Sequence, residues 1–258
     1  MKKLIHILSF YSLLLCACNN SAKNSIATDD SVKIKSAEVD SIALKAAGIY
    51  GGFVPCADCE GIITYLLLNP DMTYRLEETY YKKDEKVFPT NGNWKMENGK
   101  VVLYHNNNEV RLSFLPDGDK LWQLDSEGHR ISGNLGNKYV LNRQEMADKK
   151  RLKEKADAGI DFIGHGNEPF WSLEIGKGNK ITFNRPDMKE PVSTPYTEPT
   201  ISNGVREYHI QTEATKLDII ISPQFCSDGM SDFLYEYKVS LQYNGRKYSG
   251  CGVSLNAL

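Results

Sequence analysis

Between residues 46 and 143 the apolar positions recur every second residue, and turn residues interrupt them at short intervals. The alternation is plain in Thr73-Tyr74-Arg75-Leu76-Glu77 and in Val110-Arg111-Leu112-Ser113-Phe114-Leu115. Successive side chains of a strand point to opposite faces, so a period of two marks a half-buried strand. The pattern predicts strands at 48–54, 62–68, 73–81, 90–97, 100–105, 110–115, 120–124 and 138–142. The breaks are Asn69-Pro70-Asp71, Asn91-Gly92, Asn98-Gly99, Asn106-Asn107-Asn108, Pro116-Asp117-Gly118 and Glu127-Gly128. Gly and Asn tolerate positive φ, which suits each of them to a hairpin turn. Short strands at this spacing, with no strong helix between them, predict an antiparallel meander that closes on itself.

A second β-rich region covers 159–258. Strands are predicted at 161–164, 171–175, 180–184, 205–211, 216–222, 235–243 and 247–251. Asn244-Gly245 is a strong hairpin signal between the last two. Residues 186–200 carry four prolines and are expected to form a long loop at the sheet edge. Between the two regions, 144–158 is a charged linker with good helix formers, expected to be an exposed helix or a flexible link ended by Gly159. Its five basic and four acidic residues nearly cancel, which disfavours a basic membrane-binding helix. The fold class expected is therefore all-β, with an antiparallel barrel followed by a second small antiparallel β domain.

The start of the chain bears on location. Met1-Lys2-Lys3 is a short positive segment, and the apolar run 4–15 is twelve residues long. An ordinary spanning helix needs about 20. Leu15-Cys16-Ala17-Cys18 follows, then a polar stretch. The whole resembles a bacterial lipoprotein signal peptide, with a small residue, Ala17, just before the acceptor Cys18. The resemblance implies loss of 1–17, lipidation of Cys18 and attachment to a membrane through several acyl chains, which hold firmly where one holds marginally. A plain cleaved secretory signal is the alternative. Asn19 follows the acceptor, and by analogy with retention signals this implies an outer-membrane lipoprotein of the cell envelope. Residues 18–45 are rich in Ser, Asn, Asp, Lys and Ala and read as a flexible tether, with weak helical spacing over 39–47.

The stretch Tyr50-Gly51-Gly52-Phe53-Val54-Pro55-Cys56-Ala57-Asp58-Cys59-Glu60-Gly61-Ile62 is similar to the N-terminal domain of the copper-resistance lipoprotein NlpE family. So are Asn69-Pro70-Asp71-Met72-Thr73-Tyr74, Glu78-Thr79-Tyr80 and Gly92-Asn93-Trp94. The resemblance covers about 100 residues. It implies a lipocalin-like barrel and a role in copper tolerance, surface sensing and envelope stress, with an envelope signalling protein as partner. From the residues alone, Cys56 and Cys59 suit either a structural disulfide in an oxidising compartment or a pair of soft thiolates for Cu(I). Thiol catalysis would need a depressed thiol pKa. The flanking Asp58 and Glu60 oppose that, and a β-run rather than a helix follows Cys59. Met72 and His105 are weaker ligand candidates, and Trp94 and Trp122 are expected in the core or rim.

In the second region Gly164-His165-Gly166-Asn167-Glu168-Pro169-Phe170-Trp171-Ser172 and Phe225-Cys226-Ser227-Asp228-Gly229-Met230-Ser231-Asp232, with Gly250-Cys251-Gly252, resemble a family of small bacterial lipoprotein or periplasmic domains without a settled activity. Cys226 and Cys251 are the two thiols of this region, and a disulfide between them is the economical reading. Glu168, Trp171, Asp228 and Asp232 form a candidate ligand or partner site. Their bland reading is turn caps and aromatic anchors.

Composition adds exclusions. The net charge is −2, and no basic patch points to nucleic acid. No Ser-His-Asp order, Gly-rich phosphate loop or His-x-x-x-His spacing supports catalysis, so no catalytic residue is assigned. The function expected is that of an NlpE-like envelope lipoprotein, not an enzyme. Cu(I) is the one cofactor considered, and oligomeric state is left open. A lipocalin-like carrier of a small apolar ligand and a thiol oxidoreductase are the alternatives.

Overall fold

The structure, a computed structural model, describes residues 44–213 and 215–255. The leader, Cys18 and the expected tether up to residue 43 lie outside the described residues.

The first eight strands follow the chain in order. They are β1 (Gly48–Val54), β2 (Ile62–Leu68), β3 (Thr73–Tyr80), β4 (Asp84–Glu97), β5 (Lys100–Tyr104), β6 (Val110–Asp117), β7 (Lys120–Gln123) and β8 (Val140–Met146). Each is antiparallel to the next, and β1 also pairs with β8, so the meander closes into a barrel. The inward positions of the alternating pattern fill it: Tyr50, Leu66, Leu76, Trp94, Leu103 and Phe114 are all buried in one cluster. Each such side chain contributes about 1.5–3 kcal/mol on burial. Arg143 of β8 fastens the entry of the chain, donating to the carbonyls of Lys45 (2.8 Å) and Ala47 (3.0 Å) and to the Tyr50 hydroxyl (2.6 Å).

One expected break is not a turn. β4 runs straight through Asn91-Gly92. A Cβ on Gly92 would lie 2.1 Å from the carbonyl oxygen of Tyr104 and 2.8 Å from the Tyr74 ring, so this glycine serves close packing inside the sheet. β8 likewise starts later than expected and continues to Met146, into the segment read as linker.

The second sheet contains β9 (Phe162–Asn167), β10 (Phe170–Ile175), β11 (Lys180–Asn184), β12 (Val192–Pro195), β13 (Thr200–Ser202), β14 (Val205–Gln211), β15 (Lys216–Ser222), β18 (Tyr237–Tyr243) and β19 (Arg246–Ser254). Their order is β12-β11-β10-β9-β19-β18-β15-β14-β13. Its core holds Phe162, Leu173, Ile181, Phe183, Leu217 and Ile219. The proline-rich 186–200 is not one loop: it contains β12 and the start of β13, the two edge strands, where proline is tolerated because one side of the strand is unpaired. Between the sheets, a 3-10 turn at Lys149–Leu152 leads into α1 (Lys153–Asp157), and Gly159 follows at φ +82. Leu152 and Ala156 pack against Ile160, Val253 and Leu255, which anchors one face of this otherwise exposed helix.

Residues 223–235 join the two sheets. β16 (Cys226–Ser227) and β17 (Phe233–Tyr235) form a short antiparallel pair, and β17 adds in parallel to β8 of the first barrel, Phe233 opposite Glu145 and Leu234 opposite Met146. Ala147 N–H donates to Leu234 O at 2.8 Å. Nearby, the outer faces of β2 and β3 receive Phe225. Its ring lies edge-on to Tyr65 at 6.1 Å and 5.2 Å from the Arg75 guanidinium, and its N–H donates to Glu77 Oε2 at 2.9 Å. Arg75 also bonds Pro223 O and pairs with Glu77 Oε1, although Oε1 has no donor in hydrogen-bonding geometry. Glu77 is 2% exposed. The Cys226–Cys251 disulfide ties the same segment to β19.

Burial raises the pKa of the Glu77 carboxyl, against the opposing pull of Arg75 and the Phe225 N–H. The folded protein therefore binds this proton more tightly than the unfolded chain does. Its contribution to stability grows as pH falls from the raised folded value toward the ordinary glutamate range. Chemical denaturation at neutral and mildly acidic pH will show this as a gain on acidification that Glu77→Gln removes. Replacing both Cys226 and Cys251 by Ser will lower the unfolding free energy by about 3 kcal/mol, read from the urea midpoint, because the cross-link no longer restricts the unfolded chain.

Candidate functional site

Cys56 and Cys59 lie in the loop between β1 and β2 and form a disulfide, with Cα atoms 5.3 Å apart. The two sulfurs and an Asp58 carboxylate oxygen all lie within 4.8 Å of one another. The sulfur-bearing residues are half-buried and Asp58 is exposed. The loop is fastened to the β3–β4 turn. Tyr81 N–H donates to Gly61 O at 2.9 Å, and the Phe53 ring meets the Tyr81 ring edge-on at 5.8 Å. Gly61 is needed there, since a Cβ would come within 2.2 Å of the Phe53 ring.

Two residues missed by the sequence reading change the electrostatics. Lys83 is bonded to Asp58, and Lys82 pairs with Glu60 at 3.1 Å. The hydrogen bond and charge of Lys83 hold the Asp58 carboxyl below its ordinary range. The acids beside the cysteines therefore do not act as bare negative charges. The lysines sit some 20 residues downstream, and only the β2–β3–β4 register brings them to the loop. His105 follows β5, in the turn to β6, and is not in the cluster formed by the two sulfurs and Asp58. Met72 falls at the other end of the barrel, because it follows β2 whereas the cysteines precede it. Seven residues of strand separate the two ends, about 23 Å. Trp94 is fully buried, with its indole N–H on Asn69 O at 3.0 Å, and Trp122 lies at the rim under the Arg130 guanidinium.

The two motifs of the second region meet in space. Asp228 is their centre. It accepts from the N–H groups of Met230 (3.0 Å) and Ser231 (2.8 Å), from the Ser231 hydroxyl (2.9 Å) and from the Tyr235 hydroxyl (3.2 Å), and it lies 3.3 Å from His165 Nε2. Burial alone would raise this carboxyl. The bonds from Ser231, Met230 and His165 outweigh it and hold the group far below the usual carboxylate range. Trp171 is a core residue whose indole N–H reaches Ser249 O at 3.2 Å. Gly166 and Gly250 make room for that ring, with a Cβ on Gly166 falling 2.1 Å from the indole nitrogen. Glu168 is exposed and lines, with Asp228, a cleft of about 620 Å³ between the two sheets. Asp232 lies on a separate hollow beside Arg143 and Phe233. Of the four candidate residues, only Glu168 and Asp228 therefore share a cavity. Asp228 spends its acceptors on its own loop.

Comparison with known proteins follows the first barrel. Residues 50–134 match the model of the NlpE N-terminal domain. Lipoprotein NlpE of Escherichia coli (strain K12) is 32% identical over 143 residues, 55% of this chain and 55% of that protein, so the matched segment spans about half of that relative. Among solved structures, a candidate lipoprotein from Shewanella oneidensis at 1.42 Å resolution is 35% identical, with 39% of this chain and 90% of that chain covered and a TM-score of 0.35. The Cpx pathway activator NlpE from Escherichia coli is 20% identical, with 69% and 86% covered and a TM-score of 0.31. Residues Tyr50 to Asn134, from β1 past β7 of the first barrel, are thus similar to the NlpE N-terminal domain family.

Proposed function

We propose that this protein is an envelope lipoprotein of the NlpE kind, held to the outer membrane by lipid on Cys18, and that Cys56 and Cys59 are its working site in copper tolerance and stress sensing. The observation that carries the reading is the pairing of two sulfurs and one carboxylate at the end of the first barrel, within 4.8 Å of one another. Oxidised, the sulfurs bond each other and have no thiolate to offer a metal. Exchange with an external dithiol, which is itself oxidised to a disulfide, supplies two electrons and leaves two soft thiolate ligands, the donor type Cu(I) prefers. Lys82 and Lys83 offset the neighbouring acids and so favour the thiolates. The disulfide and the metal-binding dithiol are then two states of one sensor, and an envelope signalling protein reads the difference.

Two alternatives draw less support. A lipocalin-like carrier needs room inside the barrel, where Tyr50, Leu66, Leu76, Trp94, Leu103 and Phe114 belong to one buried cluster. A thiol oxidoreductase gains from a helix N-terminus at its cysteines, and here β2 follows Cys59.

A competitive Cu(I) titration of residues 19–258, reduced and anaerobic, will give tight one-to-one binding that the Cys56→Ser/Cys59→Ser variant loses. Equal binding by both proteins would remove the copper reading. Cell fractionation will place the wild-type protein with membranes, and Cys18→Ser will move it to the soluble periplasmic fraction.

A further inference from the structure

The second sheet curls but does not close. Its edge strands β12 and β13 are joined by residues 196–199, and a cavity of about 180 Å³ opens where this connection meets β9, β10 and β14. Phe162, Tyr196 and Tyr208 give it aromatic walls. Such a volume holds about six water molecules, the size of a small organic molecule.

Arg206 is the unusual group in it. On β14 the side chains of Tyr208 and Ile210 face the core, and Arg206 lies in phase with them. Its guanidinium sits 5.0 Å from the Phe162 ring centre and 4.9 Å from that of Tyr237. Nη2 is buried and has no hydrogen-bond partner. A charged donor enclosed without a partner is costly to hold, and the guanidinium that carries it lines the cavity.

The other charges narrow the ligand. Lys177 lines the cavity beside Asp161, whose carboxylate accepts the Lys177 N–H. Glu198 accepts from the Tyr196 hydroxyl at 3.1 Å. Burial first, and then that hydrogen bond to Glu198, push the Tyr196 pKa up to about 12, so its proton stays on. The lining thus holds two cations, Arg206 and Lys177, and two anions, Asp161 and Glu198. A simple anion would meet the carboxylates and a simple cation would meet the basic groups. A zwitterion satisfies both.

We propose that this cavity binds a small zwitterion of the α-amino-acid class, with its carboxylate on the Arg206 guanidinium, its ammonium group toward Glu198 and Asp161, and its side chain against Phe162 and Tyr208. The site is separate from the cysteine pair and does not depend on the copper reading.

Isothermal titration of the Cys18→Ser chain from residue 18 onward, which keeps both sheets, tests it. The probes are glycine, L-alanine and L-valine. Isobutyrate supplies the carboxylate without the amine, and isobutylamine the amine without the carboxylate. At least one amino acid will bind saturably, one per chain, and the single-charge probes will bind about tenfold more weakly or worse. Arg206→Gln will lose about tenfold or more in affinity. Glu198→Gln, at an exposed position that cannot unfold the protein, will weaken the amino acid but not isobutyrate. The proposal falls if no amino acid binds up to roughly 10 mM, if isobutyrate binds as well as the amino acids, or if Glu198→Gln leaves amino-acid affinity unchanged.

Discussion

Residues 223–235 belong to the second sheet by sequence and to the first by hydrogen bonding. β17 extends β8 in parallel, and Phe225 fills the outer surface of β2 and β3 beside Arg75 and Glu77. The segment is held in shape by its own contacts. Asp228 gathers donors from Met230, Ser231 and Tyr235 and touches His165, while the Cys226–Cys251 bond holds its root to β19. Residues that read as a chemical motif are in this sense the frame of a joint. A carboxylate saturated by its own loop has little left for a substrate. Glu77 bears the complementary strain: it is taken out of water on the surface of one barrel and made tolerable by a residue from each side of the joint, Arg75 and Phe225.

The two cystines stand in different settings. Cys251 is buried and its bond spans 25 residues, so it restricts a large part of the unfolded chain. The Cys56–Cys59 bond spans three positions and closes a half-buried loop pinned by exposed lysines and a pair of aromatic rings. In the chain-entropy model this short loop contributes about 2 kcal/mol to stability, less than the 25-residue one. That smaller share of the stability suits a site that changes state. The loop lies within the residues that match the NlpE N-terminal domain model.

The barrels differ in how they end. The first closes through β1 and β8 around one cluster of buried apolar side chains. The second leaves β12 and β13 as free edges, and the half-buried Arg206 lies beside the connection between them. An open sheet leaves unpaired strand edges, whereas closure removes them.

The sequence by itself determined the all-β class and most of the strands. β1, β2, β11, β14 and β15 coincide with the segments read from alternation, because each is bounded by turn chemistry and has one face on a core. It also paired Cys226 with Cys251 and singled out the Cys56–Cys59 loop. What tertiary structure decided was everything that rests on contact between distant residues. β12, β13, β16 and β17 are two to four residues long, too short to show a period, and exist because a neighbouring strand supplies their partners. Asn91-Gly92 reads as a turn locally, yet it is a strand because the Tyr104 backbone presses against it. The lysines on Asp58 and Glu60, the burial of Glu77 and the unused donor of Arg206 follow from strand register and sheet curvature, which no short stretch of sequence encodes.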